Sequence, residues 1–231
     1  MLPWRPPSRG GSSSYRLRHD RAGAGCGQGE RPLNYLVHLY LSAPTDDCRL
    51  GNLMGDFVKG RIDAGYPQEV LRGIWQHRRI DALAHSCLPC RRSRSRIDPY
   101  FGHFRGILVD IFYDHLLAVD WPRFSPQPLD AFAEEIYSLL SRNLHCLPPG
   151  LQQIAPRMIR DNWLLSYRDP DTIGRVLERV ARRFSRPTPL GQALPELLRE
   201  RQGLATDCEA FLQEGKACLS RGPTDNARIV E

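Results

Sequence analysis

The chain has 231 residues, a formal net charge of +6 at pH 7 and seven cysteines. This length can bury one sizeable core without disulfide or metal staples. No apolar run approaches the about 18 residues that a membrane span needs, so no membrane partner is expected. The odd number and irregular spacing of the cysteines favour reduced thiols in a cytoplasm over a disulfide framework.

Residues 1–32 hold most of the charge, with six arginines against Asp20 and Glu30, a net of +4. They are rich in Gly, Ser, Pro and Arg, and this composition predicts disorder. Organelle transit and translation from upstream of a true start near Leu33 are the two other interpretations. The remaining chain is only +2, which is weak evidence for a nucleic-acid partner, and none is expected.

Residues 33–43 form an apolar run that contains His38, and strand and helix cannot be distinguished over so few residues. On its own, His38 is more typical of a hydrogen-bonded core histidine than of a ligand. Residues 49–60 are predicted to form a short helix ending at Gly60. Asn52 and Asp56 share one face of this helix because they are four residues apart.

Residues 67–85 are predicted to form a helix, since proline suits a first turn and Glu69 favours the positive end of the helix dipole. Its inward stripe contains His77 and Asp81. Arg78 and Arg79 adjoin these polar groups and offer fork-shaped donors to a phosphate. The alternative for the two arginines is a solvated surface pair.

Residues 107–121 are predicted to form a helix that is apolar on all faces and therefore buried. This helix nevertheless carries Asp110, Asp114 and His115. Buried carboxylates are costly unless they are paired, hydrogen-bonded or bound to a metal. The sequence thus indicates either structural ion pairs or a metal or acid–base site.

The C-terminal half also reads as helical, and no internal repeat is visible. We predict an exposed connector at 91–96, helices at 129–143 and 152–168, and a helix capped by Asp169. Arg175 and Arg179 belong to the outward basic face of that helix. A last helical segment, 190–218, is expected to bend or break near Gly203, and residues 220–231 are expected to form a flexible tail.

Cys87 and Cys90 form a single CxxC motif, for which a redox or zinc role is conceivable. A second such motif, or a nearby Cys/His pair, is missing. The four ligands of a structural zinc site are therefore not assembled.

The imidazoles and acids come from four predicted core segments and contain no thiolate. Such nitrogen and oxygen ligands suit manganese, iron, zinc or magnesium with open coordination positions. We expect them to converge on one ion in a helical bundle, with His77 and Asp114 close together. This pattern favours metal-assisted phosphoester hydrolysis, and no GxSxG, Walker A or GxGxxG motif argues otherwise.

Five segments, in the same order, resemble motifs of the acyl carrier protein (ACP) phosphodiesterase family. The resemblance spans Asn34 to about Arg183. The segments are NYLVHLYL from Asn34, GNLMGDFVKG from Gly51, HRRID from His77, DIFYDH from Asp110 and YRDPD from Tyr167.

The resemblance implies a single-domain, all-α bundle at residues 33–219, related to the HD-type metal phosphohydrolases and using manganese. It implies hydrolysis of holo-ACP to apo-ACP and 4′-phosphopantetheine. The family's start supports an initiator near Leu33. Because ACP is acidic, the face from Arg175 to Arg183 is either a docking patch or ordinary solvated surface.

We accordingly expect three groups of site residues, although the order Asp114-His115 reverses the usual HD dipeptide and leaves the ligand set open. Two other functions remain, an HD-type nucleotide phosphohydrolase and a non-catalytic helical module that binds through its arginines. The expected metal ligands are His38, Asp56, His77, Asp114 and His115, the catalytic acids are Asp81 and Asp110, and the substrate-binding residues are Asn52, Arg78, Arg79, Arg175 and Arg179.

Overall fold

The computed structural model describes residues 35–63 and 65–220, and these fold into one all-α domain without a strand. The all-α prediction is confirmed. The predicted segment 1–32 and the tail beyond Ser220 lie outside the described residues. Within the described ranges, no helix has the length and apolar character to cross a membrane. The helices are α1 (Tyr35–Leu41), α2 (Asp46–Met54), α3 (Gln68–Ser86), α4 (Leu88–Arg96), α5 (Arg105–Val119), α6 (Leu129–Asn143), α7 (Pro149–Arg160), α8 (Trp163–Ser166), α9 (Pro170–Ala181) and α10 (Leu194–Ser220).

Helix α5 lies at the centre of the domain, as its apolar sequence predicts. All of its residues from Ile111 to Ala118 are buried. It packs against α1, α4, α9 and α10. Each fully buried side chain such as Phe112 or Leu117 contributes about 1.5–3 kcal/mol. The polar groups on this helix therefore need specific partners, because water does not reach them.

Helices α2 and α3 approach each other closely because glycines line their contact. A Cβ atom on Gly51 would lie 2.0 Å from the carbonyl oxygen of Val70, and one on Gly73 would lie 2.0 Å from that of Cys48. No other residue type fits at these two positions without moving the backbone. The close approach sets the end of α2 against the middle of α3, where His77 lies.

Helix α2 ends at Met54, whereas the sequence predicts an end at Gly60. The segment after it turns back towards α3 and is held there by the Arg78 guanidinium. This group donates hydrogen bonds to the carbonyl oxygens of Val58 and Gly60, at 3.0 and 2.8 Å. Residue 56 therefore lies in a turn and not on a helix face.

Residues 91–96 are helical, so the predicted connector is a helix, although four of the six residues are exposed as expected. They form most of α4, which buries Cys90 and Ser93. The Nε atoms of Arg92 and Arg96 lie 2.7 and 2.9 Å from the buried carboxylate of Asp207 on α10. This side of α4 is thus polar and inward-facing, and hydrophobic periodicity does not reveal it.

Helix α10 continues through Gly203, where the sequence predicts a bend or break. The glycine makes room for a neighbour, since a Cβ atom there would lie 2.4 Å from Nη1 of Arg96. The helix predicted at 152–168 is instead divided into α7 and α8 by Asn162, whose φ of 44° is left-handed. The predictions for α3, α6 and α9 are confirmed, and Asp169 caps α9 as expected.

Candidate metal centre

Two imidazoles and one carboxylate converge between α1 and α3. The Nε2 atoms of His38 and His77 lie 3.3 and 3.4 Å from the two carboxylate oxygens of Asp81. One ligand atom from each residue lies within 4.8 Å of the others. Within the described residues, this is the group of histidine, cysteine and acidic side chains whose spacing could hold a metal ion.

The sequence positions each member of this group in a simple way. His77 and Asp81 lie one helical turn apart on α3, so they point to the same side. His38 reaches them from α1, and its ring stacks on that of His77 with centroids 4.1 Å apart. Gly55 leaves room for the stack, because a Cβ atom there would lie 2.2 Å from Cγ of His77.

The two histidines are buried, but the carboxylate is not. His38 and His77 are 2% and 4% exposed, whereas the side chain of Asp81 is 54% exposed. The group is therefore closed by protein on one side and open to solvent at Asp81. A site of this shape admits a ligand from outside while holding its imidazoles rigidly.

Nδ1 of His38 and Nδ1 of His77 are buried without a hydrogen-bond partner, and Nε2 of His38 meets only the Asp81 carboxylate. Buried polar atoms usually have partners, and each exception needs an explanation. Two imidazoles beside a carboxylate are a donor set that divalent metals accept. The residues present therefore fit a divalent ion.

The protonation states also suit ligand binding. Burial and the neighbouring His77 lower the pKa of His38. Burial acts to raise the pKa of Asp81, but the interaction with His38 outweighs it and keeps that pKa below its usual value. Neutral imidazole and ionised carboxylate are the forms that bind a metal.

Asp56 lies beside this group, with Oδ1 3.7 Å from Nε2 of His77. Burial acts to raise the pKa of Asp56, but the close contact with His77 lowers it overall. Asp56 thus forms an anionic neighbour of the triad. It could act as a fourth ligand or as the group that orients His77.

Asp110 is partly buried on α5 and lines a cavity of about 10 Å³ together with Cys90 and Tyr113. Burial and the negative charge of Asp81 raise its pKa to about 7. A carboxyl group with a pKa near neutrality can both give and accept a proton under physiological conditions.

Asp114 and His115 are not brought to the triad. The carboxylate of Asp114 is fully buried, and it accepts hydrogen bonds from the backbone amides of Leu36 and Val37 at 3.1 and 2.8 Å. Nδ1 of His115 lies 2.8 Å from the carbonyl oxygen of Tyr167. In place of the expected ligand roles, Asp114 caps α1 and His115 contacts the turn after α8.

Asn52 and Arg78 support the centre through hydrogen bonds to the backbone. Asn52 is fully buried, and its amide donates a hydrogen bond to the carbonyl oxygen of His38 at 3.2 Å. The Arg78 guanidinium donates its hydrogen bonds to the segment that follows Asp56. The substrate-binding role expected of both residues stays a prediction.

Arg79 is likewise occupied elsewhere. Its guanidinium donates to the carbonyl oxygen of Cys218 at 2.9 Å and lies over the ring of Trp75. It thereby ties α3 to the end of α10. The substrate-binding role expected of Arg79 stays a prediction.

Arg175 and Arg179 are exposed on α9 and line a groove of about 550 Å³ with Arg182. Arg175 contacts Asp169 and Thr172 through weak surface interactions at the start of the same helix. The basic face predicted from the sequence is therefore exposed in the fold.

Two features of the centre are not apparent from the sequence. The sequence suggests acid–base work for Asp81, whereas the structure groups this residue with the two histidines. The role of Gly55 also escapes sequence reasoning, although a glycine one residue before an acid in an apolar segment is a usable signal of close packing.

Comparisons with known proteins identify the family. A sequence model described as acyl carrier protein phosphodiesterase matches residues 33–215. A protein of that name from Photorhabdus laumondii is 32% identical over 166 residues, covering 71% of this chain and 84% of the relative. One from Klebsiella pneumoniae is 33% identical, covering 71% and 86%, and one from Salmonella paratyphi A is 34% identical, covering 67% and 80%.

No solved structure matches the chain. The family assignment therefore depends on sequence relatives. The matched residues, 33–215, extend from just before α1 into α10 and include every residue of the triad. The chain belongs to the acyl carrier protein phosphodiesterase family.

Proposed function

We propose that this protein is a metal-dependent phosphodiesterase that acts on holo-ACP. It hydrolyses the phosphodiester that joins a serine of the carrier protein to 4′-phosphopantetheine, giving apo-ACP and free 4′-phosphopantetheine. Membership of the family supports the substrate. The single structural observation that carries the proposal is the triad of His38, His77 and Asp81, which is buried on one side and open on the other.

The triad would hold one divalent ion, and we propose manganese as its identity. When bound, such an ion acidifies a water molecule and polarises a phosphoryl oxygen. The chain's own residues prepare this chemistry, because Asn52 and Gly55 fix the two imidazoles. Asp56 lies beside His77, where its carboxylate can orient that ring or bind the ion directly.

Asp110 is our candidate for proton transfer. Its raised pKa lets it hold a proton at neutral pH and release that proton to a leaving serine oxygen. The negative charge of Asp81 helps to raise the pKa of Asp110. We therefore assign Asp81 to the ion and Asp110 to the proton.

The basic groove of α9 is our candidate for carrier-protein docking. Arg175, Arg179 and Arg182 project from one exposed face and leave a concave surface beside Trp163. An acidic protein substrate would be attracted to such a face before the phosphodiester reaches the centre. We also propose a cytoplasmic location, which the six free cysteines among the described residues support.

The test is incubation of purified protein with holo-ACP and Mn²⁺, followed by mass spectrometry of the carrier protein. We expect the carrier protein to lose the mass of 4′-phosphopantetheine less one water, because hydrolysis returns a proton to the serine oxygen, and a chelator should prevent this loss. The variant H77A should lose at least about 100-fold in rate while remaining folded. Unchanged holo-ACP together with turnover of free nucleotides would favour the nucleotide phosphohydrolase. An absence of bound metal and of any turnover would favour the arginine-faced binding module.

A further inference from the structure

The first turn of α4 presents two thiols that the proposed reaction does not use. Cys87 is the N-cap residue, with extended backbone angles of −68° and 154°, and Cys90 is the third residue of the helix. This placement turns both side chains towards each other across one turn. The N-cap residue and the third residue of a helix adjoin, so the two thiols are neighbours in the fold.

The two thiols differ in depth. Cys90 is 1% exposed and lines the same small cavity as Asp110 and Tyr113. Cys87 is 7% exposed and lies at the surface edge, between the exposed residues Ser86 and Leu88. A reagent from solvent therefore meets Cys87 first and has no direct access to Cys90.

The N-terminus of α4 favours a negative charge on the sulfur of Cys87. The neighbouring Cys90 thiol is the main reason why the pKa of Cys87 falls to about 7. The Cys87 thiol and burial raise the pKa of Cys90. A thiolate at a helix N-terminus is the reactive form of cysteine.

We propose that Cys87 and Cys90 form a reversible dithiol–disulfide site that exchanges with small-molecule disulfides. The Cys87 thiolate attacks one sulfur of an oxidised disulfide such as glutathione disulfide, whose other sulfur leaves as a thiolate. Cys90 then loses its proton and attacks the Cys87 sulfur, which expels the second small thiol. In total, the protein loses two electrons and two protons, and the small disulfide becomes two thiols.

The test is equilibration of the full-length protein in glutathione buffers of increasing disulfide content, followed by acid quenching and alkylation. Tryptic cleavage after Arg79 and Arg91 releases a peptide, residues 80–91, that holds both cysteines and no others. We expect this peptide to change from doubly alkylated to disulfide-linked at a defined buffer ratio, and to return when dithiothreitol is added.

Two variants sharpen the result. C90S should stop at the first step, so that Cys87 carries one glutathione. C146S, which removes another buried thiol, should leave the transition of the peptide unchanged. The proposal is overturned if the wild-type peptide stays doubly alkylated in buffers that already modify Cys218, or if the disulfide joins either residue to a different cysteine. Because the readout is alkylation, the result is independent of the hydrolase activity.

Discussion

His38 is the residue whose environment is hardest to explain without a ligand. Its ring is buried, Nδ1 has no hydrogen-bond partner, and Nε2 meets only the exposed carboxylate of Asp81. A buried group left unsatisfied costs about 1–3 kcal/mol. A helix built only for stability would place an apolar residue there. The histidine is accounted for if binding an ion offsets that cost.

We therefore expect H38L to abolish stabilisation by metal without weakening the metal-free fold. In the wild type, Mn²⁺ at about 100 times its dissociation constant should add about 2.7 kcal/mol to the free energy of unfolding. In H38L this addition should vanish, because the triad loses a ligand. Thermal unfolding with and without Mn²⁺ measures both effects.

The matched control is H85L, the same substitution at an exposed position in the last turn of α3. It should keep the full metal-dependent shift. A shift that survives in H38L would show that the ion binds elsewhere.

Asp114 is the opposite case, because both oxygens of this buried carboxylate already accept hydrogen bonds. Removing its carboxylate leaves the amides of Leu36 and Val37 buried without acceptors. We expect D114A to lower the free energy of unfolding by about 2–5 kcal/mol, since each orphaned amide costs about 1–3 kcal/mol.

The variant D114N, which retains one acceptor oxygen, should be less destabilised than D114A in chemical denaturation. Folded protein of either variant should bind Mn²⁺ in the same ratio as the wild type. A loss of metal from folded D114N would restore this residue to the ligand set.

At the scale of elements, the centre depends on how closely α2 meets α3. We expect G73A to lower the free energy of unfolding by at least about 1–3 kcal/mol, the usual cost of overpacking, because its methyl group would collide with the backbone of α2. The rate of hydrolysis should fall as well, since His77 follows the same helix. Denaturation and turnover of the purified variant measure the two effects.

Gly106 offers a matched control for G73A. It lies in α5, and a methyl group added there would meet nothing within 4 Å, so the new side chain has open space. G106A should be neutral or stabilising by up to about 1 kcal/mol, because alanine favours the helix. An equal loss of unfolding free energy in G73A and G106A would mean that the close α2–α3 contact is not the cause of the loss.

The elements differ in how well the sequence predicts them. Helices α3, α5, α6 and α9 follow from apolar spacing and from end signals such as Asp169, because these act within one helix. Helix α4 escapes such reasoning since its inward face is polar and pairs with Asp207, a residue 115 positions from Arg92. A contact between residues so far apart in the chain leaves no pattern in the sequence of either helix.

The same distinction applies to the centre. The pairing of His77 with Asp81 is a matter of helical spacing and could be predicted. The sequence also indicates correctly that Asp114 needs partners, but it cannot tell backbone amides from a metal ion. The glycines that close the α2–α3 contact act between helices, so their role becomes visible only in the fold.

At the scale of the whole molecule, the arginines differ in how exposed their partners are. The +6 of the chain is modest, and many arginines are occupied, such as Arg79 at the end of α10 and Arg92 on Asp207. The arginines near the end of α9 lie on an exposed face, where Arg175 and Arg182 pair only with the surface acids Asp169 and Glu178. A charged surface of this type contributes mainly to the rate of encounter.

We expect the double reversal R175E/R179E to raise the KM for holo-ACP by about tenfold with little change in kcat, because rim charges steer association and do not touch the reacting atoms. The effect should shrink as salt rises, since exposed charges are screened over about 10 Å at 0.1 M ionic strength. Steady-state kinetics at two salt concentrations measure it. Reversal of Arg91, an exposed arginine on α4, provides the comparison. A similar rise in KM for R91E would point to net charge alone, whereas a fall in kcat for the double variant would place these arginines near the chemistry.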